Sequence, residues 1–318
     1  MDSKVILKTQ DLSVYFGDNR ILNNINLSVH SSEILGVVGV SGSGKTTLLL
    51  SLLGLVKPSS GTVLFSHKRK KDYVFKPVNE HLDYFRSHVG FSSQHPSFYT
   101  KLTIKENLSF FGNMMLVGKG LLQQRINVLL DLFELKQHRD KLAEELSGGM
   151  QKRLDMAISI VHNPLILLLD EPTGELDPLL RKEIWFLTKR INEKGKTVIL
   201  CSHFINDLEQ VCDRIAVLHE GNLITVGTPA EIRERISLYD QVVVESVPGN
   251  YDKIISQAYK DKHIKIRKHI KQMNYLIFLV ENGHDSLKRF ISILDSNKEK
   301  IIDVRLRKPP LEEMFELI

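Results

Sequence analysis

The chain has 318 residues, of which 42% are hydrophobic and 25% charged, with a formal net charge of +5. No apolar run approaches the roughly 18 residues that a bilayer-spanning helix needs, so the chain cannot itself be a channel. Two cysteines, Cys201 and Cys212, are too few for a disulfide framework and lack metal-ligand spacing, which fits a reducing compartment.

In chain order, the first residues, Met1 to Lys4, lead straight into Val5-Ile6-Leu7 without the basic and apolar regions of a signal peptide. Residues 1 to 65 read as strand-rich, with a turn at Pro58-Ser59-Ser60-Gly61. Within them, Ile34 to Val38 is an apolar run of the kind a buried strand needs, and Thr47 to Leu53 reads as a helix. Between the two lies Gly39-Val40-Ser41-Gly42-Ser43-Gly44-Lys45-Thr46, a complete G-x-x-x-x-G-K-[ST] phosphate loop. Its glycines let backbone N–H groups turn onto phosphates and the helix N-terminus adds partial positive charge. Lys45 can reach the β- and γ-phosphates, and the Thr46 hydroxyl can bind Mg²⁺.

Residues 66 to 90 read as a polar, basic connection carrying the run His67 to Lys71, a solvated loop or a contact for anionic headgroups. The segment 102 to 145 is expected to be helical, opening with a capping box at Thr103 and Glu106. Leu146-Ser147-Gly148-Gly149-Met150-Gln151-Lys152-Arg153 then starts a second helix with a capping hydroxyl and exposed N–H groups, a second cradle for phosphate. Leu165 to Leu169 is a continuous apolar run ending in Asp170 and Glu171, the pattern of a strand buried on both faces that opens on a site. Asp170 can hold Mg²⁺, and Glu171, past the strand end, can orient and deprotonate a water.

From 165 to 225 strands alternate with helices, which implies a parallel sheet. A helix over 179 to 193 stops at Gly195, a strand runs Thr197 to Ser202, and Arg214 to Leu218 pairs with Leu223 to Val226 as a hairpin. After Gly227-Thr228-Pro229 and a helix over 230 to 238, residues 240 to 318 follow a β-α-β-β-α-β order whose second strand is expected at His263 to Ile266. The expected division is a nucleotide-binding domain over 1–238, with a helical segment at about 95–160, and a ferredoxin-like accessory domain over 239–318.

These motifs, in this order, closely resemble the ATP-binding subunits of ABC transporters over roughly residues 4 to 230. The resemblance implies a P-loop NTPase with a parallel-sheet core, an N-terminal antiparallel β subdomain, a helical subdomain and a small C-terminal α+β domain. It implies ATP and Mg²⁺, held by the phosphate loop and Thr47. Phe16 resembles the aromatic that stacks on adenine, with Tyr15 as a neighbour that could be mistaken for it. Gln94 resembles the glutamine that touches Mg²⁺ and water, and His203 the histidine at the γ-phosphate. In the family, the signature here formed by Ser147, Gly148, Gly149 and Gln151 faces the nucleotide of the other subunit in a head-to-tail dimer. Asp177 resembles the aspartate that carries contacts across that dimer. The implied partners are a transmembrane permease subunit and an identical or different ATPase subunit, on the cytoplasmic face of the membrane, with no specific nucleic acid. Met150 replaces the usual Gln, and Glu175 stands where a small residue is usual. The former variant and the ending Pro309 to Phe315 resemble exporter-type members. A soluble ABC ATPase acting on nucleic acid or ribosomes is the alternative, although such proteins usually carry two ATPase units or a coiled-coil insertion.

Overall fold

The computed structural model describes residues 4–308 apart from 70–71, 175 and 237–238. Glu175 and the ending from Pro309 therefore lie outside the described residues, as does part of the basic run at 67 to 71. The chain divides into two units, Met1–Pro229 and Ala230–Ile318.

The first unit opens with strands β1 (Val5–Phe16), β2 (Asn19–Ile25), β3 (Ser28–His30) and β4 (Ile34–Val38), followed by helix α1 (Lys45–Leu52). A hairpin of β5 (Ser60–Arg69) and β6 (Asp72–Pro77) follows, then a short helix α2 (Leu82–Arg86) and β7 (Val89–Ser92). The polar connection expected over 66 to 90 is thus largely ordered. Its backbone is satisfied by cross-strand pairing from Leu64 with Pro77 to Arg69 with Asp72, and such pairing needs no apolar run to announce it. Two helices, α3 (Ile104–Met114) and α4 (Lys119–Leu132), make up most of 102 to 145. Thr103 caps α3 through the anticipated box: its side chain accepts from the Glu106 N–H at 3.1 Å, and its own N–H donates to Glu106 Oε2 at 2.8 Å.

The signature helix α5 (Gly148–Ser159) leads to β8 (Ile166–Asp170), α6 (Pro178–Glu193), β9 (Thr197–Ser202), α7 (Ile205–Val211), β10 (Arg214–His219) and β11 (Asn222–Gly227). Six strands form one sheet in the order β11-β10-β4-β9-β8-β7, parallel throughout except for β11 at one edge. Every residue of β4, β8 and β9 is buried, which is why these strands read as unbroken apolar runs rather than as alternation. The other sheet runs β2-β1-β5-β6, with β3 paired to β1. Leu48, Leu49 and Leu52 of α1 are fully buried in one core with Leu12, Leu22 and Ile25 of the antiparallel sheet and Leu35, Val37 and Ile199 of the parallel one. Helix α1 is therefore wedged between two sheets, and its N-terminus is held wherever they hold it.

The second unit opens within α8 (Pro229–Ile236) and goes on with β12 (Asp240–Val247), α9 (Tyr251–Lys260), β13 (Ile266–Lys271), β14 (Leu276–Val280), α10 (Gly283–Ser296) and β15 (Lys300–Arg307). All pairings are antiparallel, in the order β13-β14-β12-β15, the split βαβ arrangement. Val242, Val244, Ile254, Phe278, Phe290 and Leu294 form its core, with the Phe278 and Phe290 rings 4.3 Å apart. The strand expected at 263 to 266 begins only at Ile266. Ile264 is buried in this core, so its apolarity reports packing of the connection rather than ladder pairing.

Candidate nucleotide site

Strand β4, in the interior of the sheet, ends just before Gly39, where space decides the residue. A Cβ there would lie 2.2 Å from the Leu218 carbonyl oxygen and 2.4 Å from Ser43 Oγ. Gly42 and Gly44 take φ of +81° and +101°, the left-handed region that side chains disfavour. Gly44 caps α1 without a side-chain hydrogen bond, so the first N–H groups of the helix are available to an anion. Lys45 is only 7% exposed. Its Nζ donates to the carbonyls of Gly39 at 2.9 Å and Val40 at 3.1 Å, and lies 3.8 Å from Glu171 Oε1.

The end of β8 faces this loop. Asp170 is buried, hydrogen-bonded to the Thr46 side chain, and its Oδ1 has no hydrogen-bond partner. Burial holds its carboxyl above the usual range, against the opposing pull of the Thr46 hydrogen bond and of Lys45 and Lys152. Glu171 follows with φ +45°, a left-handed turn that swings it out of the strand. Its Oε2 is 2.9 Å from His203 Nδ1. With Glu171 ionised, Nδ1 carries the donated hydrogen. A cavity of about 620 Å³ collects Phe16, Thr46, Gln94, Glu171 and His203 with the phosphate loop and Thr47, a volume within the range of small-molecule sites. Tyr15, the neighbour that could be mistaken for Phe16, does not line it.

An unpartnered carboxylate oxygen beside a hydroxyl fits a hard divalent cation. No cluster of three or more His, Cys, Asp or Glu that could hold a metal occurs among the described residues. The unpartnered Asp170 oxygen and the Thr46 hydroxyl suit Mg²⁺, which takes few protein ligands and completes its shell with phosphates and water.

Ser147, Gly148, Gly149, Gln151 and Asp177 do not line this cavity. Ser147 and Gly148 are exposed, and Ser147 caps α5 by accepting from the Met150 N–H at 3.4 Å. The Gln151 amide donates back to the carbonyls of Ala143 and Leu146, both at 3.3 Å. Asp177 caps α6 by accepting from the N–H groups of Leu179 and Leu180. A Cβ on Gly149 would sit 3.0 Å from the Leu180 side chain, so α5 and α6 meet at that point.

Sequence reasoning did not single out Ile21 and Gly174, which also line the cavity. It also passed over Lys152 and Asp155. Lys152 Nζ donates to the Ser93 carbonyl at 3.0 Å and lies 3.9 Å from the buried Asp155, which is hydrogen-bonded to Ser92. This pair fastens the signature helix to the segment just before Gln94. Two charges inside an apolar helical pattern carry no signal of the strand end that they will meet.

A parallel sheet with a phosphate loop after one strand and paired carboxylates after another defines a P-loop nucleotide hydrolase. The sequence model of the ABC transporter family matches residues 22–174. Nod factor export ATP-binding protein I of Rhizobium sp. (strain N33) is 32% identical over 255 residues, 80% of this chain and 80% of that protein. Bacitracin transport ATP-binding protein BcrA of Bacillus licheniformis is 32% identical over 296 residues, 89% of this chain and 92% of that protein. The probable multidrug ABC transporter ATP-binding protein YbhF of Escherichia coli (strain K12) is 34% identical over 230 residues, and the match spans 38% of its length. Among solved structures, cbiO1 from Clostridium perfringens, part of the ABC transporter complex cbiONQ, superimposes with a TM-score of 0.65 at 30% identity. That match covers 73% of this chain and 93% of that one. The chain belongs to the ATP-binding subunits of ABC transporters. It is a P-loop ATPase that binds ATP. No helix among the described residues is long and apolar enough to cross a membrane.

Proposed function

We propose that this ATPase powers export through a separate transmembrane subunit, docked at the cytoplasmic face of the membrane, and that it works as a head-to-tail pair of ATPase subunits. The export direction is supported by relatives whose names specify Nod factor export and multidrug transport. The observation that carries the chemistry is that Lys45, Glu171 and His203 meet at one cavity, with Asp170 held behind its wall by the Thr46 side chain. Phe16 stacks on adenine, Lys45 and the loop amides of Gly39 to Thr46 hold the phosphates, and Thr46, Asp170 and Gln94 hold Mg²⁺. Bound there, Mg²⁺ neutralises charge on the β- and γ-phosphates. Glu171 takes a proton from the attacking water as the bond between the γ-phosphorus and its bridging oxygen breaks. His203 orients Glu171 through the Nδ1 contact and meets the γ-phosphate. Ser147, Gly148, Gly149 and Gln151, with Asp177 beside them, complete the site of the neighbouring subunit. Residues 1–238 form the ATPase domain, with the helical subdomain at about 95–160 docking on the membrane partner, and 239–318 form the accessory domain.

Two variants separate binding from chemistry. Lys45→Ala should lose ATP binding, because Lys45 meets phosphate in the ground state. Glu171→Gln should bind ATP, lose most turnover and accumulate as an ATP-bound dimer, seen by nucleotide titration, phosphate release and sedimentation. Normal turnover in the Glu171 variant would overturn its role as base.

A further inference from the structure

We infer that Arg181 is a positioning residue for hydrolysis, one that ties the loop carrying Asp177 to the aromatic ring against which His203 rests. The inference builds on the reading of Glu171 and His203 given above. Arg181 lies in the first turns of α6, where a cation is opposed by the helix dipole. Its place must come from specific contacts, and no carboxylate lies within ion-pair distance of it among the described residues. Two contacts are present. The Arg181 Nε–H donates to the Leu176 carbonyl at 2.8 Å, so the side chain turns back along the loop that joins β8 to α6. The guanidinium carbon lies 3.9 Å from the centroid of the Phe204 ring, within the cation–π range.

Phe204 directly follows His203, and the two rings are 3.8 Å apart at 43°. His203 in turn meets Glu171 at 2.9 Å. The contacts close a ring: Glu171, His203, Phe204, Arg181, Leu176, and back along the chain to Glu171. A displacement at Asp177, one residue beyond Leu176, pulls on the carbonyl that holds Arg181 and shifts the plane on which Phe204 is seated. The guanidinium suits this task because an in-plane N–H can donate while the flat face stays on a ring; an ammonium cannot do both. Since Asp177 belongs to the surface proposed to meet the second subunit, docking of that subunit is communicated to the Glu171–His203 pair through Arg181.

The test uses the full chain in steady-state ATP hydrolysis and in NMR of the histidine ring protons, with the His203 signal identified by its loss in His203→Ala. Arg181→Ala and Phe204→Leu should each lower kcat about ten-fold, with KM for ATP changed by less than about two-fold. The double variant should be no worse than either single one, and Phe204→Tyr should stay near wild type. Arg181→Lys, which keeps the charge and the fold but not the planar stack, should share the kcat loss. In the arginine variants the His203 resonance should leave its ring-current-shifted position and move toward that of a histidine with no aromatic ring against it. Wild-type kcat and an unmoved His203 signal in Arg181→Lys, additive losses in the double variant, or a KM effect alone would each overturn the inference. Glu171→Gln and His203→Ala run alongside. If both keep normal turnover, the underlying site reading is at fault, and the His203 resonance still decides whether Arg181 positions that ring.

Discussion

His162 shows how a single half-buried side chain sets a pH limit. Its Nε2 meets the Val89 carbonyl at 3.1 Å, and burial holds its pKa below the ordinary 6.5 against that hydrogen bond. The unfolded chain takes up a proton near the ordinary value while the folded chain does not. The stabilisation is therefore complete above 6.5 and is lost as pH falls from there through the depressed folded value. His162→Gln keeps an N–H donor for Val89 and removes the titration. Its unfolding free energy, measured in urea across this window, should fall less steeply with acidification, by up to about 1.4 kcal/mol per pH unit. An unchanged slope would show that other groups set the acid limit.

At the level of elements, α1 translates core packing into chemistry. Leu48→Ala removes a fully buried side chain where two sheets converge and should cost about 3 kcal/mol. It should also weaken ATP binding, since the helix that loses its wedge begins at Lys45; calorimetric unfolding and nucleotide titration would show both effects. Such elements were legible in the sequence. Strands buried on both faces must be apolar throughout, so β4, β8 and β9 stood out, and a loop that wraps phosphate has to use glycines at fixed places. The capping box of α3 was equally plain because it is chemistry between residues three apart. The β5–β6 hairpin was not legible, since backbone pairing at a sheet edge leaves little mark on composition. Nor was the start of β13, because burial of Ile264 in a connection imitates the alternation of a strand. The union of Phe16, Gln94 and His203 in one cavity followed only from the family resemblance; their separations in sequence contain nothing that brings them together. Arg181 and Phe204 escaped notice because their meaning lies in a contact between α6 and the turn that starts α7.

On the scale of the whole molecule, the head-to-tail pairing proposed above assigns the exposed Ser147 and Gly148, which do not line the cavity, to the site of the neighbouring subunit. Mixing Lys45→Ala subunits with Ser147→Arg subunits should restore partial ATPase activity, because a mixed dimer concentrates both lesions in one site and leaves the other intact. No recovery, with mixed dimers confirmed by sedimentation, would count against assembly in trans. The second unit has its own core around Phe278 and Phe290, and every residue proposed to touch adenine, phosphate or Mg²⁺ precedes position 204. A chain ending at residue 238 should therefore stay folded and bind ATP with little change, while dimerisation weakens. Loss of binding on truncation would mean that the C-terminal region is integral to the ATPase fold.

The phosphate loop is also braced by residues far downstream. The Gly221 N–H donates to the Ser43 carbonyl at 3.1 Å, the Leu218 carbonyl backs Gly39, and the Asn23 N–H donates to the Gly221 carbonyl at 2.8 Å. During synthesis, the ribosome releases residues 39 to 46 long before 218 to 221, so a nascent chain carries the motif without its walls. Competence to take up ATP is therefore expected only once the turn between β10 and β11 has emerged to brace the loop.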